Sequence, residues 1–228
     1  MRMRPKKNRI ARMERVSYLF ADTDSEGRID FEKTFGNNKN IYLEIGCGKG
    51  AFITGLAERE EEKNLLALEL VRDVVMMAME KADRLGLTGI RFLNADASSI
   101  DDIVPAHSVE KLFLNFSDPW PKKRNAKRRL TSPLYLEKYK KILAENGKIF
   151  FKTDNKPLFD YSLDSFVSNG FALENVCFDL HSDKLLNSVN IETEYEKNFS
   201  SKGFKINYLE AFLPRDTQIR PASRQTDI

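Results

Sequence analysis

The sequence predicts an α/β fold: a doubly wound, mostly parallel sheet of seven strands with an antiparallel edge. Three observations predict it. Short apolar runs alternate with stretches of helical period from Ile41 to Asn169, the pattern of five successive β/α units. A glycine-rich turn joins the first strand-like run to the first helical one. After Gly170 two longer strand-like runs follow, an arrangement that adds an antiparallel pair at one edge.

Taken in order, the strand-like runs are Ile41–Ile45, Leu65–Leu70, Ile90–Ala95, Lys111–Phe116 and Lys148–Lys152. Their content of Ile, Leu and Phe suits strands buried on both faces. Helical patterns lie between them at Ala51–Glu60, Arg72–Leu85 and Pro133–Ala144, with a further one at Lys156–Asn169. In the second, Val74, Val75, Ala78, Ala82 and Leu85 share a face, and Gly86 supplies a stop. The third opens on Thr131-Ser132-Pro133, a cap followed by proline at the first helical position, and closes at Asn146-Gly147. Phe171–Leu180 and Phe204–Leu213 read as the last two strands, with a helix near Glu194–Ser201 between them. Residues 1–36 read as a basic, partly helical extension, 37–214 as the sheet domain, and 215–228 as a C-terminal tail.

Composition narrows the function classes. A chain of 228 residues buries enough surface to fold without staples. Its two cysteines, Cys47 and Cys177, form no disulfide framework and suit a reducing compartment. With only two histidines, His107 and His181, a Cys/His zinc site is not expected, and no metal is. No apolar run is long enough to span a bilayer, and the N-terminus lacks the apolar core of a secretory signal. The expectation is a cytoplasmic protein, monomer or homodimer, with no membrane partner. The net charge of +3 hides two basic clusters. Residues 1–15 carry seven basic side chains against Glu14, and residues 122–129 carry six with no acid, so the rest of the chain is net acidic. Two local patches of this kind point to a polyanion, and the second adjoins the ligand-binding edge of the sheet.

The sharpest local signal is Leu43-Glu44-Ile45-Gly46-Cys47-Gly48-Lys49-Gly50. Gly46, Gly48 and Gly50 let the backbone turn tightly and approach a ligand. The spacing is Gly-x-Gly-x-Gly, which departs from the Gly-x-Gly-x-x-Gly of NAD enzymes, and Lys49 is followed by no Ser or Thr as a phosphate loop requires. Glu44, just before the loop, would repel a pyrophosphate. It suits instead the cationic, phosphate-free end of S-adenosylmethionine. Glu69 ends the second strand where an acid accepts ribose hydroxyls, and Asp96 ends the third where it can line an adenine pocket. Cys47 has no basic neighbour to lower its thiol pKa and reads as a small packing residue.

The fourth strand runs into Asn115-Phe116-Ser117-Asp118-Pro119-Trp120-Pro121-Lys122-Lys123-Arg124. Its prolines fix the backbone and direct Asp118 and Trp120 toward the glycine loop. Lys127-Arg128-Arg129 follow directly. The Asp118–Lys123 motif, the basic run, Lys152-Thr153-Asp154-Asn155 and Thr193-Glu194-Tyr195-Glu196 together resemble the tRNA (guanine-N7)-methyltransferases. The likeness extends from about Ile41 to Leu213, with the motifs in the family's order. It implies the Rossmann-like seven-stranded sheet of class I methyltransferases and methyl transfer from S-adenosylmethionine to a guanine in the tRNA variable loop. The resemblance gives cofactor contacts to Glu44, Glu69, Asp96 and Asp118, and substrate contacts to Lys122, Asp154, Thr193, Glu194, Tyr195 and Glu196. It gives RNA contacts to the stretch holding Arg124, Lys127, Arg128 and Arg129.

Asp118 is the catalytic candidate, as a carboxylate beside the base rather than a general base, since guanine N7 carries no proton to remove. Read by spacing alone, Thr193-x-x-Glu196 is a helix capping box, and both readings stay open. Other classes fit less well. A methyltransferase for proteins or small molecules leaves the basic runs without purpose, an NAD oxidoreductase conflicts with Glu44, and a plain RNA-binding module has no use for the strand-end acids.

Overall fold

The computed structural model of the protein describes residues 8–215. Arg2, Arg4, Lys6 and Lys7 of the first basic cluster, and residues 216–228 of the expected tail, lie outside the described residues. The chain begins with α1 (Arg9–Val16) and α2 (Phe31–Phe35). Then come β1 (Ile41–Ile45), α3 (Ala51–Arg59), β2 (Asn64–Leu68), α4 (Arg72–Arg84) and β3 (Ile90–Leu93). The middle holds α5 (Ile100–Ile103), β4 (Val109–Asn115), α6 (Pro133–Ile142), β5 (Leu143–Thr153) and α7 (Lys156–Ser168). It closes with β6 (Ala172–Cys177), α8 (Lys184–Ser188), α9 (Glu194–Ser200) and β7 (Asn207–Phe212).

These strands form one seven-stranded sheet in the order β3-β2-β1-β4-β5-β7-β6. The first five are parallel, and β7 runs antiparallel to both β5 and β6, as the sequence pattern predicts. Alternation along each strand sorts the core into two layers. Ile41, Leu43, Ile45, Leu112, Leu114, Ile149 and Phe151 pack against α5, α6 and α7 on one face. Tyr42, Leu65, Ala67, Phe92 and Phe113 pack against α1, α3 and α4 on the other. Helix α1 lies along α4, where the Arg12 guanidinium meets Glu80 and the Tyr18 hydroxyl donates to Asp83 at 2.6 Å. The described part of the N-terminal stretch thereby joins the core through Met13, Val16 and Leu19.

The antiparallel end differs most from the sequence reading. Helix α6 stops at Ile142 rather than near Asn146-Gly147, because Leu143 is already extended and pairs with Val109. The ladder then resumes at Lys148 opposite Lys111, leaving residues 144–147 as a bulge. Gly147 is needed there by close approach: a Cβ would lie 2.6 Å from the Val109 carbonyl oxygen. Ser132 is the N-cap of α6 by position, with proline in the first turn, but its hydroxyl donates to the Lys127 carbonyl at 3.1 Å instead of capping the helix. Strand β6 is shorter than Phe171–Leu180: it ends at Cys177, ahead of a 3-10 turn over Leu180–Ser182, and Asn175, at φ 52, breaks its register with β7 on the way. Strand β7 likewise starts at Asn207 rather than Phe204.

Gly50 is explained by packing. It precedes α3 at φ +80, and a Cβ would sit 2.8 Å from the Ala78 Cβ of α4. Gly46 and Gly48, also at positive φ, have open space where a Cβ would go. Gly50→Ala should therefore cost about 2 kcal/mol or more, from overpacking and backbone strain together, while Gly48→Ala costs only the strain, about 1 kcal/mol. Chemical denaturation of the ligand-free protein measures both. Equal losses would remove the α3–α4 contact as the reason for Gly50.

Candidate active site

The chain reverses its winding direction between β1 and β4, and ligands in such sheets bind in the crevice outside the strand ends at that switch point. The expected acids arrive there by topology. Glu44 lies in β1, Glu69 directly follows β2, Asp96 follows β3 and Asp118 follows β4. Glu69, Asp96, Asp118, Trp120 and Tyr135 line a cavity of about 680 Å³. Glu44, Gly48, Lys49, Thr193, Glu194 and Tyr195 line an adjoining one of about 220 Å³. Gly46, Asn115 and Phe116 belong to both, so the two form one crevice.

Glu44 is the unusual member. On β1 it points to the α3 side of the sheet and is 2% exposed. Asn115 Nδ2 donates to its Oε1 at 2.9 Å, and its Oε2 has no partner among the described residues. Burial pushes its pKa up to about 7, against the opposing pull of the Asn115 hydrogen bond and the Lys152 charge. Glu69 is better satisfied: Oε2 accepts from the Gly48 N–H at 3.1 Å and Oε1 from the Val71 N–H at 2.8 Å. These two bonds aim the carboxylate along the edge of the glycine loop. Asp96 accepts from the Ser98 N–H at 2.7 Å, a bond that lowers its pKa. Cys47 is buried, and that burial pushes its thiol well up, which fits the reading of a packing residue.

Asp118 is exposed at the cavity rim and has no side-chain hydrogen bond among the described residues. Its loop is bent at both ends by left-handed residues, Phe116 at φ 52 and Trp120 at φ 41. The Arg128 guanidinium covers the Trp120 ring at 4.8 Å and itself lines the cavity. Arg124 and Lys127 are exposed on a 3-10 turn over Lys123–Arg128, so the basic run does border the crevice. Lys122 is exposed just before that turn and lines neither cavity. Arg129 departs from the expected surface role. Its Nε and Nη2 donate to the carbonyls of Pro119 and Trp120 at 3.0 and 3.1 Å.

The opposite wall is built around a buried ion pair. Lys152, 4% exposed, donates to Glu196 Oε2 at 2.7 Å, Asn190 Oδ1 at 3.0 Å and the Ile191 carbonyl at 2.9 Å. Glu196 is 0% exposed and also accepts from Asn190 Nδ2 and bonds His181 Nε2. Burial acts against its charge, yet Lys152, His181 and Asn190 hold its carboxyl below the usual range. The expected substrate contact from Glu196 is therefore corrected: its oxygens are spent inside the protein. The capping-box reading is the one realised, with Thr193 Oγ1 accepting from the Glu196 N–H at 2.9 Å. Thr193, Glu194 and Tyr195 remain on the crevice wall, with Lys49 Nζ on Glu194 at 3.2 Å and the Tyr195 hydroxyl on Asp154 at 3.2 Å.

The Lys152–Asn155 motif is thus accounted for residue by residue. Lys152 pins α9, Thr153 Oγ1 accepts from the Asn155 N–H, Asp154 takes Tyr195, and Asn155 caps α7. Asn115, Lys152 and Tyr135 carry no role in the sequence reading. A polar residue closing an apolar strand run was the available signal for the first two; Tyr135 reads as one more core position of α6. Among the described residues, no group of three or more His, Cys, Asp and Glu is placed to hold a metal ion, and no helix is long and apolar enough to cross a membrane.

The site fits S-adenosylmethionine. An unpaired buried carboxylate oxygen calls for a cationic ligand, and the open space over Gly46 and Gly48 admits one. Fold and site together define a class I S-adenosylmethionine-dependent methyltransferase. The 16S rRNA methyltransferase KamB shares the fold, with a TM-score of 0.61 at 15% identity over 83% of this chain and 98% of that one. A family model described as "Putative methyltransferase" matches residues 38–209. The chain is 42% identical over 192 residues to the tRNA (guanine-N(7)-)-methyltransferase of Brevibacillus brevis, covering 84% of this chain and 89% of that protein. It is 42% identical over 211 residues to the protein of the same name from Streptococcus agalactiae serotype III, covering 92% and 99%. The chain belongs to the tRNA (guanine-N7)-methyltransferase family.

Because the Glu44 carboxyl is neutral more readily in the folded than in the unfolded chain, its ionisation opposes folding. That penalty is absent below about pH 4.5, grows as pH rises toward 7, and is complete above it. Glu44→Gln keeps the Asn115 contact and should stabilise the ligand-free protein at pH 8 by about 2–3 kcal/mol, with little effect near pH 4.5. Urea denaturation at the two pH values tests this. A variant no more stable than wild type at pH 8 would show that the buried carboxylate is relieved by solvent.

Proposed function

We propose that this protein transfers the methyl group of S-adenosylmethionine to N7 of a guanine in the variable loop of tRNA. The observation that carries the reading is the position of Asp118, on the rim shared by the acid-lined cavity and the basic run. When bound, S-adenosylmethionine supplies an electrophilic methyl on a sulfonium. Its ammonium group is the natural partner for Glu44 Oε2, and the Glu69 carboxylate, already oriented by two backbone N–H groups, suits the ribose hydroxyls. Asp96 and Tyr135 line the same cavity as Glu69 and would suit the adenine.

Guanine N7 carries a free lone pair, so the protein needs no general base, and no histidine or active thiol lines the crevice. Its work is positioning, which is worth effective molarities of about 10⁵–10⁸ M when reactants are well aligned. As N7 is alkylated, positive charge develops on the base, and the Asp118 carboxylate favours it there. Asp154 and the Thr193–Tyr195 wall suit the opposite edge of guanine, which presents N–H donors. Lys122, Arg124, Lys127 and Arg128 suit phosphates, gripping the RNA without reading its bases. Selection of one guanine then rests on tRNA shape and extrusion of the base.

Asp118→Ala should lower methyl transfer by about 100-fold or more while tRNA affinity changes little, as expected of a group acting on transition-state charge. Single-turnover transfer from labelled cofactor, with the methylated nucleotide mapped, checks both the rate and the position; equal loss of rate and binding would point to misfolding. Neutralising Arg124 and Lys127 should weaken tRNA binding and reduce the slope of log K against log salt by about 0.7–0.9 per lost phosphate contact. An unchanged slope would take this segment out of the interface.

A further inference from the structure

We infer that Arg129 is the positioning residue for Asp118: its guanidinium clamps the backbone of the loop that carries the carboxylate, and it takes no part in gripping RNA. The inference rests on the proposed role of Asp118 and extends it. Asp118 has no side-chain partner among the described residues, so its placement depends on its backbone alone. That backbone is unusual. Phe116 and Trp120 both lie in the left-handed region, which side-chain-bearing residues rarely occupy and which persists only when the surroundings enforce it.

The enforcing contact is the Arg129 fork. Its Nε and Nη2 reach the successive carbonyls of Pro119 and Trp120, the two residues directly after Asp118. The guanidinium is itself held. It lies 4.2 Å from the centre of the Tyr161 ring of α7, and the chain beyond it is fixed to the same helix. Thr131 is 0% exposed, its Oγ1 bonds Ser162 Oγ at 2.7 Å, and its carbonyl accepts from Ser165 Oγ at 2.6 Å. A rigid line therefore runs from α7 through Arg129 to the Asp118 loop. Neighbouring Arg128 does different work: it stays exposed, lines the cavity and covers the Trp120 ring. Of the cations at 127–129, the first two face solvent and the third faces the loop.

Geometry also supplies the test, because a planar two-pronged contact needs arginine whereas a phosphate contact needs only charge. Arg129→Lys keeps the charge and loses the fork; Arg129→Gln loses both. Single-turnover methyl transfer at saturating tRNA, tRNA affinity across a salt series, and the emission of Trp120, the one tryptophan of the chain, are measured on the full-length protein. Both variants should slow transfer at saturation by about 10–100-fold, as small misplacements of an aligned group do. Both should alter the emission or quenching of Trp120 and leave the salt slope of tRNA binding unchanged. Should Arg129→Gln fail to fold, Arg129→Lys decides alone. A wild-type rate in Arg129→Lys, or a reduced salt slope with the saturated rate intact in Arg129→Gln, overturns the inference. If the wild-type protein methylates no tRNA guanine, the functional reading fails separately. The clamp is then judged by Trp120, whose unchanged emission and quenching in both variants would overturn it.

Discussion

The pivot of this molecule is a carboxylate withheld from water. The alternation of β1 leaves Glu44 no choice of side: Ile41, Leu43 and Ile45 fill one layer of the core, so Glu44 must share the other with Tyr42. There Asn115 satisfies one of its oxygens, and no partner among the described residues satisfies the second. An apolar residue would pack this place at less cost, and the retained charge makes physical sense only if a cation completes it. The glycines beside it leave the necessary room, and the acids after β2, β3 and β4 extend the same negative edge. Selection of a positively charged cofactor follows from that edge before any substrate is considered.

Two rims border the crevice, and each is held by the hydrogen bonds of one lysine or arginine side chain. On one side Lys152 and Glu196 lock α9 to β5 from positions remote in sequence, with Asn190 and His181 taking the remaining valences. Such a pair adds little net stability over an apolar one, but losing either partner would strand a buried charge, which makes the wall geometry specific. On the other side Arg129 holds the Pro119 and Trp120 carbonyls. The exposed cations Arg124 and Lys127 stand just outside this second rim. Rigidity at both rims matters because chemistry at N7 gains its rate from alignment rather than from proton transfer.

Much of this was legible in the residues because strand ends converge by topology. Once five β/α units are recognised, Glu44, Glu69, Asp96 and Asp118 must meet at one edge wherever the exact boundaries fall. The capping box of Thr193 and Glu196 was legible too, as a purely local pattern. What sequence could not reveal were partnerships across distance. Glu196 sits in a motif that suggests ligand contact, yet Lys152 of β5 claims its Oε2 while Asn190 and His181 take its Oε1. Arg129 sits in a run of identical charge, yet it alone turns inward. The role of Gly50 was hidden for the same reason, since the atom it makes room for belongs to Ala78 of the next helix. The bulge at residues 144–147 was invisible because a helix stop and a bulge use the same Asn-Gly pair.

The most direct test of the buried-carboxylate account counts protons. Titrating S-adenosylmethionine into the protein calorimetrically, in buffers of different ionisation enthalpy, gives the number released on binding. With a free pKa of about 7 for Glu44, the account predicts release of nearly one proton per site at about pH 6, falling away as pH rises past 7. Tight binding at pH 6 with no proton released would contradict it, because the cation would then be met by a group that was already charged.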